Sequence, residues 1–151
     1  MRYADLYNRA FADLEQVELP PDYPSCRHSW HLYGLRLHLD QLEIDRDGFI
    51  AELRQRKIGA SVHFIPVPLH PYFACLAKRP VNHCPRALEL YPRLVSLPPY
   101  PSMTEDQLQH IVGAVKEIVH TYKKKTSCRE FAGPETTVHC LAISLNQRSP
   151  A

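Results

Sequence analysis

The segment from Met103 to Tyr122 constrains the fold most, because it specifies both a helix and the side of it that must be buried. Thr104 and Gln107 have capping-box spacing, and Met103 and Leu108 occupy the positions of a hydrophobic staple. Glu105 and Asp106 complement the positive end of the helix. Leu108, Ile111, Val112, Val115, Ile118, Val119 and Tyr122 then fall on one apolar stripe. Lys123, Lys124 and Lys125 follow at the C-terminal end, where cations are favoured by about 0.5 kcal/mol each, so the basic run reads as a helix terminus before it reads as a binding patch.

Upstream, the pattern alternates between helix and strand. Tyr3, Leu6, Tyr7, Ala10, Phe11 and Leu14 recur at three and four, predicting a helix that Pro20 and Pro21 end. Ser29 to Leu39 alternates, with His31, Tyr33, Leu35, Leu37 and Leu39 on one face, and predicts a half-buried strand in which Trp30 and His31 serve packing. Asp45 is the N-cap of a helix through Lys57 whose buried side holds Phe49, Ile50 and Leu53. Further short strands are expected at Ser61 to Ile65 and Leu94 to Leu97, with a short helix opened by Pro85 and stopped by Pro92.

A chain of 151 residues makes one ordinary domain. The net charge of +2 comes from 18 basic and 16 acidic residues spread through the sequence, which argues against a nucleic-acid surface. No apolar run approaches the roughly 20 residues that cross a bilayer, and the N-terminus does not read as a signal peptide, so a cytoplasmic protein without membrane contact is expected. Five irregularly spaced cysteines, Cys26, Cys75, Cys84, Cys128 and Cys140, suggest reduced thiols and no disulfide framework. Cys26, His28 and His31, and the pairs His83–Cys84 and His139–Cys140, lack zinc-site spacing, so no metal is expected. Residues 127–151 have no sustained period and are expected to form an irregular tail after a domain spanning 1–126.

The stretch Gly59 to Tyr72, GASVHFIPVPLHPY, holds the candidate functional residues. A short strand would carry His63 into a proline-stiffened loop presenting His70 and Tyr72. Histidine can donate to a hydroxyl or phosphate, and an aromatic wall can pack on a sugar ring or a base. No nucleophile, carboxylate pair or phosphate-cradling glycine loop accompanies them, Ser96 lacks a nucleophile-elbow pattern, and no residue is assigned a catalytic role.

Ser29-Trp30-His31-Leu32-Tyr33, Asp47 to Leu53, Ser61-Val62-His63-Phe64-Ile65-Pro66, His70-Pro71-Tyr72 and Ser96-Leu97-Pro98 together resemble the C-terminal small domain of the DegT/DnrJ/EryC1/StrS family. That family comprises pyridoxal-phosphate-dependent aminotransferases of nucleotide-linked keto sugars, and the resemblance runs from about Arg2 to Tyr122. It implies an α/β (α+β) domain in which a short, mainly antiparallel sheet is covered by helices on one face, as in the small domain of fold-type-I PLP enzymes. It also implies that His63, Phe64, His70 and Tyr72 line the substrate side of the cleft.

Lys57 and Pro68 depart from the family pattern, which usually has glycine at the first position and often histidine at the second. The family's Schiff-base lysine, pyridine-pairing aspartate and most phosphate-binding groups belong to a large N-terminal domain, after which this sequence is expected to begin. Lys57, Lys78, Lys116 and the terminal triplet match none of those positions. The resemblance thus implies a fragment that binds no cofactor by itself and is inactive alone. Its expected partners are a nucleotide-linked keto sugar and either a large-domain polypeptide or a second copy, since the family is dimeric. The alternative is a non-enzymatic interaction module derived from such an enzyme.

Overall fold

A computed structural model describes residues 2–21, 23–76 and 84–125. Its elements are α1 (Arg2–Phe11), β1 (Val17–Glu18), β2 (Tyr33–Leu37), α2 (Arg46–Gln55), α3 (Pro71–Leu76), α4 (Pro85–Leu90), β3 (Leu94–Leu97) and α5 (Glu105–Tyr122), with 3-10 turns at Val67–Leu69 and Tyr91–Arg93. The strands form an antiparallel sheet in the order β1-β2-β3. Tyr33 lies opposite Leu97 and Leu35 opposite Val95, so the alternation of β2 sends these four, with Leu37, into one buried face.

Three helices supply most of the rest of that core, with Val17, Leu42, Ile58 and Met103 between the elements or in β1. Ala4, Tyr7 and Phe11 come from α1, Phe49, Ile50 and Leu53 from α2, and Leu108, Ile111, Val112, Val115, Ile118 and Val119 from α5. The Tyr7 ring packs 4.8 Å from that of Tyr33 and 5.7 Å from that of Phe11. Burial pushes the phenols of Tyr7 and Tyr33 well above the ordinary tyrosine range, with the neighbouring Tyr33 and Tyr100 adding to the effect at Tyr7. The expected caps form: Asp45 Oδ1 accepts from the Gly48 amide at 2.8 Å, and Thr104 and Gln107 make the reciprocal capping box. The α+β architecture read from the sequence is therefore the architecture observed.

Several expected boundaries move. α1 ends at Phe11, well before Pro20 and Pro21, because the chain turns through the Leu14 to Phe11 hydrogen bond and enters β1, which no periodicity announced. The alternation at Ser29 to Leu39 yields a strand only from Tyr33 to Leu37. Trp30 takes a φ of 51° and its amide donates to His28 Nδ1 at 2.8 Å, which breaks the extended backbone. His31 is consequently exposed instead of packed in the core, whereas Trp30 is half-buried with its ring 5.9 Å from Tyr33.

The strand expected at Ser61 to Ile65 reduces to a single bridge between Ser61 and Ser96. Continuing that antiparallel register would set Ile65 against Pro92, which has no amide to give and sits in the Tyr91–Arg93 turn. The lysines after α5 act as tethers: Lys123 lies 3.8 Å from Glu15, and Lys124 Nζ donates to the carbonyls of Leu39 and Asp40 at 3.2 and 3.0 Å. The stretch assigned as a tail, 127–151, and the residues Lys78, His83, Cys128, His139 and Cys140 lie outside the described residues.

Candidate functional site

The sheet face opposite the core carries the candidate site. Ser96 follows Val95 in β3 and precedes Leu97, so alternation sends its hydroxyl away from the buried apolar face. Its backbone exchanges two hydrogen bonds with Ser61, Ser61 N to Ser96 O at 3.2 Å and Ser96 N to Ser61 O at 2.8 Å. This pairing fixes the start of the segment leading to His63. His63 Nδ1 lies 3.1 Å from Ser96 Oγ and 3.3 Å from Ser61 Oγ. The imidazole is half-buried, and the Phe64 ring, 79% exposed, stands edge-on to it with centroids 5.0 Å apart.

The following loop is shaped by its prolines. Pro68 lies within the 3-10 turn Val67–Leu69, and Pro71 opens α3, where its missing amide hydrogen costs no helical bond. His70 and Tyr72 both pack edge-on against Phe73, at 6.3 and 5.4 Å between centroids. The structure thus places His63 with Phe64, and His70 with Tyr72 through Phe73, in two groups joined by chain continuity. Phe64, Ile65, Val67, Leu69, Tyr72 and Phe73 are all exposed, which makes this loop an unusually apolar stretch of surface.

Ser96 is the site residue that sequence reasoning passed over. The sequence offers Ser96 as part of the Ser96-Leu97-Pro98 motif and without a nucleophile-elbow pattern, and at 5% exposure it is too enclosed to attack a substrate. The signal available was a small polar residue alternating out of an apolar strand. Hollows lie elsewhere on the described surface. One of about 680 Å³ is bordered by Arg2, Tyr3, Trp30, His31 and Pro99, and one of about 490 Å³ by Lys57, Tyr100, Asp106 and His110. No group of three or more metal-ligating side chains comes together among the described residues.

Three antiparallel strands packed against helices, with an aromatic proline loop beside them, is an arrangement this chain shares with solved aminotransferases. DesV from S. venezuelae, solved in complex with a ketimine intermediate, superposes with a TM-score of 0.68 at 30% identity, over 77% of this chain and 30% of that one. PseC of Helicobacter pylori, an aminotransferase involved in the biosynthesis of pseudoaminic acid, shares the fold with a TM-score of 0.70 at 22% identity, over 80% of this chain and 32% of that one. A profile of the DegT/DnrJ/EryC1/StrS aminotransferase family matches residues 1–116. The chain belongs to that family. It is 37% identical over 117 residues to the spore coat polysaccharide biosynthesis protein SpsC of Bacillus subtilis, and 43% identical over 116 residues to an uncharacterized Methanocaldococcus jannaschii protein. Each match covers 77% of this chain, which spans about 30% of the length of either relative.

A Streptococcus pneumoniae relative described as a sugar aminotransferase has been solved in a PLP form, with a TM-score of 0.70 over 80% of this chain and 30% of that one, at 23% identity. The residues around His63 do not fit that cofactor. They offer an imidazole, two hydroxyls and aromatic rings, while an imine needs an amine and the pyridine nitrogen a carboxylate. The described lysines are committed elsewhere or stand on other surfaces: Lys57 borders the hollow beside α5, Lys116 is exposed on α5, Lys123 and Lys124 tether its end, and Lys125 is exposed beyond it.

Proposed function

We propose that this chain is the substrate-side domain of a pyridoxal-phosphate-dependent nucleotide-sugar aminotransferase, and that it is inactive without the large domain that holds the cofactor. The observation that carries the reading is His63 braced by Ser61 and Ser96 at the edge of an exposed aromatic loop. His63 donates to a sugar hydroxyl or phosphate oxygen, while Phe64 and Tyr72 pack on the pyranose or the base and His70 adds a second polar contact. The reading places the protein in the cytoplasm, in the supply of amino sugars to cell-envelope polysaccharide. SpsC, named for spore coat polysaccharide biosynthesis, supports that assignment.

Titration of the chain with UDP- and TDP-linked sugars tests it. Saturable binding that is lost in His63→Ala supports the reading, and equal binding by the variant sinks it. Incubation with pyridoxal phosphate and borohydride is expected to leave no stable adduct; a stoichiometric adduct on one lysine would overturn the claim of inactivity.

A second reading, a non-enzymatic interaction module derived from such an enzyme, is favoured by one observation. Phe64, Ile65, Val67, Leu69, Tyr72 and Phe73 expose closely spaced apolar side chains that a large domain or a second copy would cover. Sedimentation analysis decides between these readings: a monomer that binds nucleotide sugar leaves only the first, and a tight self-associated form indifferent to sugar leaves only the second.

A further inference from the structure

We propose that Ser96 is a positioning residue that sets the tautomer of His63, leaving the ring proton on Nε2 as the donor offered to a ligand oxygen. Ser96 is 5% exposed, and its hydroxyl has one hydrogen-bond partner among the described residues, His63 Nδ1 at 3.1 Å. A hydroxyl so enclosed must place its hydrogen on an acceptor, since a buried unsatisfied donor costs about 1–3 kcal/mol.

If Nδ1 carried the proton and donated to Ser96 Oγ, the Ser96 hydrogen would have no acceptor among the described residues. If Nδ1 accepts, both groups are satisfied and the proton sits on Nε2. No backbone carbonyl among the described residues accepts from the Ser96 hydroxyl, whose partner there is the His63 ring. Ser61 Oγ stands farther from Nδ1, at 3.3 Å, and Ser61 is exposed, so its hydroxyl can turn to water. Ser96 is therefore decisive and Ser61 is not. Nε2 has no protein partner among the described residues, which leaves it available to a ligand.

The use of Nε2–H in sugar binding rests on the proposed function above; the tautomer itself does not. The test is a long-range proton–nitrogen NMR correlation on the full 15N-labelled chain at about pH 8, above the ordinary histidine range near 6.5. We expect a single His63 tautomer with hydrogen on Nε2, retained in Ser61→Ala and Ser96→Thr. In Ser96→Ala a visible Nδ1–H population is expected to emerge from an undetectable one. Wild-type protein with hydrogen on Nδ1, or an unchanged single tautomer in folded Ser96→Ala, would overturn the proposal. The wild-type spectrum decides even if Ser96→Ala fails to fold. An Nε2–H signal in protein that binds no nucleotide sugar would sink the substrate reading while leaving the role of Ser96 standing.

Discussion

The backbone amide of Ile58 donates to the carbonyl of Leu53 at 3.0 Å, closing the end of α2 from two residues beyond its cap. Lys57 donates to Arg54 at 2.9 Å inside the same loop, and its φ of 60° is the left-handed conformation that such a Schellman closure requires. Leu53 and Ile58 are both buried, so the turn also completes the core beneath it.

Glycine would hold the Lys57 conformation without the clash that a Cβ incurs there, about 1–2 kcal/mol, although it is freer in the unfolded chain. Lys57→Gly is therefore expected to stabilise the fold by about 0.5–1 kcal/mol net, read as a higher urea midpoint at unchanged slope. A lower midpoint would mean that the lysine side chain contributes more than its backbone geometry costs.

Thr104 anchors α5, the helix with the largest share of the core stripe. Its Oγ accepts from the Gln107 amide at 3.3 Å and its amide donates to Gln107 Oε1 at 2.9 Å. Thr104→Ala should cost about 1 kcal/mol, and Thr104→Ser should retain most of that stability. Equal losses in the two variants would show that the methyl group, not the cap, is responsible.

Tyr7 and Tyr33 predict the alkaline behaviour. Tyr7 Oη donates to the Pro98 carbonyl at 3.1 Å and Tyr33 Oη to Asn8 Oδ1 at 2.7 Å, and burial raises both phenols. A raised folded value means that their contribution is complete below the unfolded tyrosine range near 10 and is lost as pH rises above it. In an ultraviolet titration these two of the eight tyrosines should ionise only as the chain unfolds. Tyr33→Phe should cost about 0.5–1.5 kcal/mol at neutral pH and soften the alkaline loss; simple, early titration of all eight rings would contradict this.

At acid pH the network around Glu52 takes over. Arg56 Nη1 donates to Glu52 Oε2 at 2.6 Å and to the Glu52 carbonyl at 3.0 Å, Tyr122 Oη donates to Glu52 Oε1 at 3.1 Å, and Arg56 Nη2 also donates to Glu117 at 3.2 Å. The hydrogen bond from Arg56 is the chief cause that holds the Glu52 carboxyl below its ordinary range; partial desolvation opposes it and Tyr122 assists. A lowered folded value contributes stability above the unfolded glutamate range near 4.3, lost as pH falls through the folded value. Glu52→Gln should flatten the acid limb of urea midpoint against pH modestly, because the pair is solvent-screened. An acid limb as steep as that of the parent would show that other carboxylates set it.

The capped helices and the buried face of the sheet were legible because capping and periodicity are local. Thr104 with Gln107, Asp45 with Gly48, and the alternation of Tyr33, Leu35 and Leu37 each act over a few residues. The family was legible through short motifs spread along the chain, whose order survives without knowledge of their contacts. The extent of the strands was less legible. Trp30 at a φ of 51° interrupts an alternation that reads as continuous, and the pairing of Ser61 with Ser96 is not carried on to Ile65, opposite which Pro92 has no amide to give. Val17 and Glu18 form a strand too short to show any period.

By itself, then, the chain's order of residues determined its helix caps, its apolar faces, its family and the candidacy of His63. Tertiary structure alone decided that Ser96, 33 positions away, would meet His63 Nδ1, and that His31 would stand in solvent. The physical reason is range: a cap or an amphipathic stripe is set by neighbours within one or two turns, whereas a hydrogen bond across a strand edge depends on where an intervening loop delivers the backbone.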